Sequence, residues 1–350
     1  MKILIESHIP FIGDAFDDLG EVVRLAPDEF TPGAVADADA MIVRTRTRCD
    51  AALLAGSNVR FVATATIGTD HIDLPWCAAN GITTVSAPGC NAPAVAQYVW
   101  ASLLRLFPSL HGKTIGIVGL GHVGSIVAEW AKHLGVRVLA CDPPRQRRDG
   151  GWNTGAPFEA GTEPFVSLDQ IAREADIITF HTPLIREGED RTFHMASRDF
   201  FRSLSRKPVI INAARGPVVD NPALVEALKE GSVGGAVMDC WEGEPAISPE
   251  LLELAAIATP HIAGYSIEGK QRASAACVAA LRRFVGQEAL AAAAEAAAPS
   301  AATAGAADDP ELFAQRITAS YDPFVDTARL RADKSSFEAL RNNYPLRHEV

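Results

Sequence analysis

Cysteine is scarce and scattered in this chain of 350 residues: Cys49, Cys77, Cys90, Cys141, Cys240 and Cys277, with no C-x-x-C spacing. Five of the six lie in or beside apolar runs. They read as buried thiols in a reducing compartment, not as a disulfide framework or a metal site. Long apolar runs are missing too. None approaches the roughly 18 residues a transmembrane helix needs, and no basic-apolar signal segment opens the chain. Both absences point to a cytoplasmic protein with no membrane as partner. Positive charge is in deficit, with a formal net charge of −11. That argues against nucleic acid as a partner, and it requires any anionic substrate to meet a locally positive pocket. What remains, 48% hydrophobic and 21% charged residues, builds ordinary globular cores, and the length allows two or three domains.

The chain is organised around TIGIVGLGHVG, residues 114–124. A β-branched apolar run, Thr114 to Val118, leads into Gly119, Gly121 and Gly124 and then into a helical pattern. Strand, G-x-G-x-x-G and helix in that order predict a dinucleotide site. The first glycine makes the tight turn, the second lets backbone approach a pyrophosphate, and the third lets helix pack on strand. The helix N-terminus offers unpaired N–H groups to the phosphates. A second apolar run, RVLACD, ends in Asp142, 18 residues after Gly124. Its carboxylate suits the adenosine ribose hydroxyls. Pro143 follows it rather than an arginine, so NAD is expected over NADP.

Residues 1–90 alternate five short apolar runs (KILIE, EVVRL, AMIVR, FVATA, ITTVSA) with helical stretches, the pattern of a small parallel α/β domain. It has no glycine fingerprint of its own. NAPAVAQYVWASLLRLF, 91–107, reads as a buried helix bridging two domains. Six further strands (TIGIVG, RVLACD, IITFH, PVIINAA, GGAVMD, AIATP) alternate with helices up to about residue 265, which predicts a doubly wound sheet. The long helix 266–286 is expected to return to the first domain. The expected class is therefore α/β. A smaller discontinuous flavodoxin-like substrate (lid) domain spans 1–92 with 266–286, and a Rossmann NAD-binding domain spans 93–265. An alanine-rich helix and linker, 287–308, precede a short element, 309–350, too small for a robust core of its own and read as an interaction or dimerisation element.

In open α/β sheets the ligand lies outside the carboxyl ends of the strands. Arg215 follows IINAA there, Asp239 ends GGAVMD, Glu244 lies in CWEGEP, and His261 follows AIATP. An arginine fork suits a substrate carboxylate. Histidine can take the hydroxyl proton as hydride leaves C2, and a carboxylate, Glu244, would orient it. The trio fits oxidation of a 2-hydroxy acid. His181, at the end of another strand, is a rival base, and Arg215 could instead pair with Asp220. No metal is expected. The trio reads only the hydroxy-carboxylate, so it does not separate one 2-hydroxy acid from another. An NAD(H)-sensing binding protein, the reading from a different class, has no need of the trio.

GLGHVG, HTPL (181–184), INAARGPVVD (211–220), MDCWEGEP (238–245) and TPHIAG (259–264) resemble the D-2-hydroxyacid dehydrogenases. A narrower likeness rests on MKILIESHIP, VRTRT (43–47), ATATIGTDHID (63–73), APGCNA (87–92), CDPPR (141–145) and PHIAGYSIEGK (260–270), with RNNYPLRHE near the end. It is to a branch of that family acting on a small phosphorylated 2-hydroxy acid, 4-phospho-D-erythronate. This resemblance implies catalytic roles for Arg215, Glu244 and His261. It implies NAD contacts by Asp142, Thr182, Ala213, Ala214, Arg215, Asp239 and Gly264, alongside Gly119, Gly121 and Gly124. Thr45, Thr66 and Tyr265 would touch the substrate, and a homodimer would be the working form. Arg44, Arg46 and Arg48 alternate with threonines at what reads as a strand end, so one could face a phosphate. Gln97 stands where the family usually has Glu, and Thr45 where serine is common.

Overall fold

The computed structural model describes residues 1–152, 163–300 and 309–350. The described residues form two compact units. The first comprises Met1–Asn91 and the residues from Ser266 to Ser300, and the second comprises Ala92–Tyr265 and the residues from 309 onward. Most of the polar linker expected before Pro310 lies outside the described residues.

The first unit carries a five-stranded, all-parallel sheet. Its strands are β1 (Lys2–Glu6), β2 (Glu21–Leu25), β3 (Ala40–Val43), β4 (Phe61–Thr64) and β5 (Thr83–Val85), in the order β2-β1-β3-β4-β5. Alternate residues feed two cores. Ile3, Ile5, Ile42 and Phe61 face one side and Leu4, Met41, Val43 and Val62 the other. That is why the three central strands, β1, β3 and β4, read as nearly unbroken apolar runs. The helix Ile267–Phe284 brings Cys277 and Leu281 into the first core. The following helix, Glu288–Ala296, is held to it by the Arg283–Glu295 ion pair at 2.6 Å.

The second unit carries β6 (Thr114–Val118), β7 (Arg137–Cys141), β8 (Ile177–Phe180), β9 (Val209–Asn212), β10 (Gly235–Met238) and β11 (Ile257–Ala258). They are parallel, in the order β11-β10-β9-β8-β6-β7. Their register sets Val118, Cys141, Phe180, Asn212, Met238 and Ala258 in one row. The residues that follow each strand therefore emerge along one edge. The chain winds from β6 to β7 on one side and to β8 on the other, so the topological switch point lies between β6 and β8. In such folds that crevice takes the ligand.

The helix Ala92–Leu106, read as a bridge, belongs to this second unit, with twelve of its fifteen residues buried. The C-terminal residues fold as three helices, Pro310–Ser320, Pro323–Ala332 and Phe337–Asn342. Phe313, Ile317 and Tyr321 join the core on one face of the six-stranded sheet. Leu330 and Phe337 join the core on the other. A segment too short to bury a core alone has thus added its apolar residues to both faces of a larger one. Among the described residues no helix is long and apolar enough to cross a membrane.

Candidate active site

The glycine turn sits at the switch point. Gly119 has φ 90°, and a Cβ there would come within 2.8 Å of the His181 carbonyl oxygen and 2.9 Å of Thr182 Cγ2. A Cβ on Gly124 would run into the Gly119 carbonyl. Gly121 caps the helix His122–His133, is exposed, and has open space where a Cβ would stand. Beside this open cradle, Thr182 Oγ1 is buried without a hydrogen-bond partner. Asp142 is held in place by the Leu120 N–H (2.8 Å) and the Arg145 N–H (2.9 Å). The Arg145 guanidinium is turned back onto the Leu120 carbonyl, Ser125 Oγ and Asp149. A bare backbone cradle, an orphaned hydroxyl and a fixed carboxylate fit a dinucleotide.

Farther along the edge, Asn212 Oδ1 accepts from the Ala214 N–H at 3.2 Å. Its amide Nδ2 donates to the carbonyls of Arg215 (3.0 Å), Gly216 and Cys240 (both 3.3 Å). This network shapes the turn Ala213–Arg215. Arg215 Nη1 donates to the Ala214 carbonyl at 2.8 Å, while Asp220 caps the helix Asn221–Glu230. Asp239 is buried. Its Oδ1 accepts from Thr259 Oγ1 and the Ile262 N–H, both at 2.7 Å, and its Oδ2 from the Ala263 N–H at 3.0 Å. It thereby pins the turn that carries His261, whose φ of 58° is left-handed, a costly conformation for a non-glycine residue that persists where the surroundings enforce it.

His261 Nδ1 meets Glu244 Oε2 at 2.8 Å, and Glu244 Oε1 accepts from the Trp241 N–H, also at 2.8 Å. Burial pushes the Glu244 carboxyl up. The charge and hydrogen bond of His261, the Trp241 N–H and Arg341 together outweigh it, and they hold the group below its ordinary value. Asp239 goes the other way, raised by burial against the same histidine. Cys240 lies in this cluster, and among the described residues Cys240, Glu244 and His261 are the one group with donor atoms as close as 4.8 Å. Burial, then the charges of Asp239 and Glu244, push its thiol well up.

His181 is a poor base. Its Nε2 meets Thr179 Oγ1 at 2.9 Å, its Nδ1 is buried without a partner, and burial lowers its pKa to about 3. In the first unit, Thr45 and Thr66 follow the neighbouring strands β3 and β4. Thr45 is exposed; Thr66 Oγ1 lies 2.7 Å from Thr64 Oγ1 and donates to the Gly68 carbonyl. Arg44, Arg46 and Arg48 do not lie on a strand. β3 ends at Val43, so they occupy the turn beyond it and the period-two alternation does not apply. Arg48 pairs with Asp50 at 2.5 Å, and Arg44 donates to the His8 carbonyl at 3.2 Å.

Residues 92–263 match the NAD-binding domain of the D-isomer specific 2-hydroxyacid dehydrogenases. Over the whole chain, an erythronate-4-phosphate dehydrogenase of Bacteroides thetaiotaomicron is 46% identical, with 97% of its own length covered. One from Bacteroides fragilis is 44% identical over the whole chain, again with 97% of its length covered. The chain belongs to the D-isomer specific 2-hydroxyacid dehydrogenase family. It is an NAD-dependent oxidoreductase acting on the CH–OH group of a hydroxy acid. Among solved structures, the D-lactate dehydrogenase of Aquifex aeolicus complexed with NAD and lactic acid superposes with a TM-score of 0.68. It is 25% identical, and the match covers 83% of this chain and 97% of that one.

Two residues of this edge escaped the sequence reading. Arg341 Nη1 lies 3.7 Å from Glu244 Oε2. Arg347 donates to the carbonyls of Ile262 (3.2 Å) and Ala263, next to His261. Both sit in RNNYPLRHE, a motif visible in the sequence but offering no strand end from which to place it.

Proposed function

We propose that the protein oxidises 4-phospho-D-erythronate to (R)-3-hydroxy-2-oxo-4-phosphooxybutanoate, in the biosynthesis of pyridoxal 5′-phosphate. The observation that carries this is the Glu244–His261 pair at 2.8 Å beside the Arg215 turn, in a chain 46% identical along its whole length to a relative bearing that activity's name. In this reading Arg215 holds the substrate carboxylate in a bidentate fork. His261 takes the C2 hydroxyl proton through Nε2, and Glu244 fixes the imidazole through Nδ1 and stabilises the charge it acquires. NAD, when bound, accepts the hydride from C2. Gly119, Gly121, Gly124, Asp142, Thr182, Ala213, Ala214, Arg215, Asp239 and Gly264 would hold it, and Thr45, Thr66 and Tyr265 would contact the substrate. A homodimer in the cytoplasm completes the reading. The family likeness of the tail and six buried cysteines support it, and light scattering on the purified chain tests the dimer.

The deciding assay offers purified protein 4-phosphoerythronate, 3-phosphoglycerate, D-lactate and D-glycerate with NAD, and the matching 2-oxo acids with NADH. The expected result is a kcat/KM for 4-phosphoerythronate at least about a hundred-fold above the rest. Turnover of another hydroxy acid in its place overturns the substrate and leaves the hydride chemistry standing.

A further inference from the structure

Glu244 Oε2, the oxygen that meets the His261 ring, has a second cationic neighbour. Arg341 comes from the last helix, Phe337–Asn342, more than eighty residues further along the chain. Its Nη1 is 3.7 Å from that oxygen, its side chain is only 25% exposed, and it is hydrogen-bonded to Tyr265. The helix is anchored so that this placement is fixed. Phe337 is buried in the sheet core. Tyr344 Oη donates to Asp326 Oδ2 at 3.0 Å, and Arg347, itself buried, donates to the Ile262 and Ala263 carbonyls. The C-terminal segment is thus tied to the histidine turn by backbone and to the histidine's partner by charge.

We infer that Arg341 is a positioning residue for the Glu244–His261 pair, so that the C-terminal segment completes the active site. At 3.7 Å the guanidinium lies beyond hydrogen-bond length, but its charge acts strongly on a carboxylate so largely withdrawn from water. It keeps Glu244 ionised and shares its Oε2 with the imidazole, which limits how strongly the carboxylate holds a proton on the ring. Five other groups belong to the same field: Asp239 below the turn, Cys240, Arg215, Tyr265 and the backbone dipole of Trp241. Unlike these five, Arg341 is contributed by the C-terminal segment.

This inference rests on the Glu244–His261 mechanism but not on the identity of the hydroxy acid. The test therefore uses whichever substrate the wild-type enzyme oxidises, and compares Arg341→Met, Arg341→Lys and His261→Asn. Arg341→Met keeps the volume and removes the charge. The expected result is a kcat about ten-fold lower, unchanged NADH affinity by fluorescence titration, and an acidic limb of the kcat profile moved to higher pH, because a cation near the base has gone. Arg341→Lys should return the limb to its wild-type position. A limb unmoved in a folded, NADH-binding Arg341→Met enzyme overturns the inference, as does a lysine variant that behaves like the methionine one. Full turnover in His261→Asn would instead remove the mechanism beneath it.

Discussion

The two sheets are built alike and finished differently. Both are all-parallel and buried on both faces, and both send their candidate site residues out at the carboxyl ends of strands. On the six-stranded sheet those residues are locked. Asp239 holds the His261 turn through three hydrogen bonds, Trp241 and His261 hold Glu244, and Asn212 holds the Arg215 turn. On the five-stranded sheet Thr45 and Arg46 are exposed in a turn, and Thr66 is braced by its own strand's neighbours. Groups that handle a proton need fixed geometry. Groups that recognise a substrate tolerate adjustment. In the roles proposed above, the difference in bracing separates the two tasks on one kind of scaffold.

The contrast breaks most visibly at His261. His261→Asn keeps a side chain that tolerates the left-handed backbone and removes the base. Turnover should fall by about 10²–10⁴-fold with NADH affinity unchanged in a fluorescence titration. A loss of NADH binding in parallel would mean that the residue holds the cofactor instead.

A middle-sized effect concerns one partly buried histidine in each unit. Burial lowers His71 to about 4 and His181 to about 3, against an ordinary value of 6.5. Each stays neutral when folded, while the unfolded chain takes up a proton below about pH 6.5. Their contribution to stability is therefore complete above that pH. It is lost as pH falls toward the folded values, at up to about 1.4 kcal/mol per pH unit for each histidine. Urea unfolding at pH 7 and pH 5 should show the loss, and His71→Gln and His181→Gln should each reduce it. A pH dependence unchanged in both variants would place its origin elsewhere.

The smallest effects belong to the five-stranded sheet. Thr66→Val, which keeps the shape and removes the hydroxyl, should raise the substrate KM by about 3- to 10-fold, the worth of one neutral hydrogen bond, with kcat nearly unchanged. Thr45→Ser should leave both parameters within about two-fold. A kcat loss at Thr66 as large as that at His261 would erase the distinction between the two sheets.

Much of this was legible in the sequence because local pattern decides it. Eleven apolar runs mark the eleven strands of the described residues, glycine spacing marks the turn at β6, and Glu244 stands close enough in sequence to its strand end to be named as the partner of His261. Where the reading failed, the local pattern was ambiguous: Arg44, Arg46 and Arg48 alternate with threonines as a strand would, yet β3 has already ended at Val43. His181 and His261 look alike as letters after a strand. Only burial and the presence of Glu244 at 2.8 Å tell them apart. Arg341 and Arg347 were out of reach, because charges from distant parts of a chain meet only when packing brings them together. The sequence by itself determined the strands, the cofactor turn and the chemistry available at one sheet edge, since these follow from periodicity and residue type. The tertiary structure decided which of the two strand-end histidines, His181 and His261, keeps a carboxylate, and that Arg341 stands beside it, since those depend on long-range contacts that no window of sequence contains.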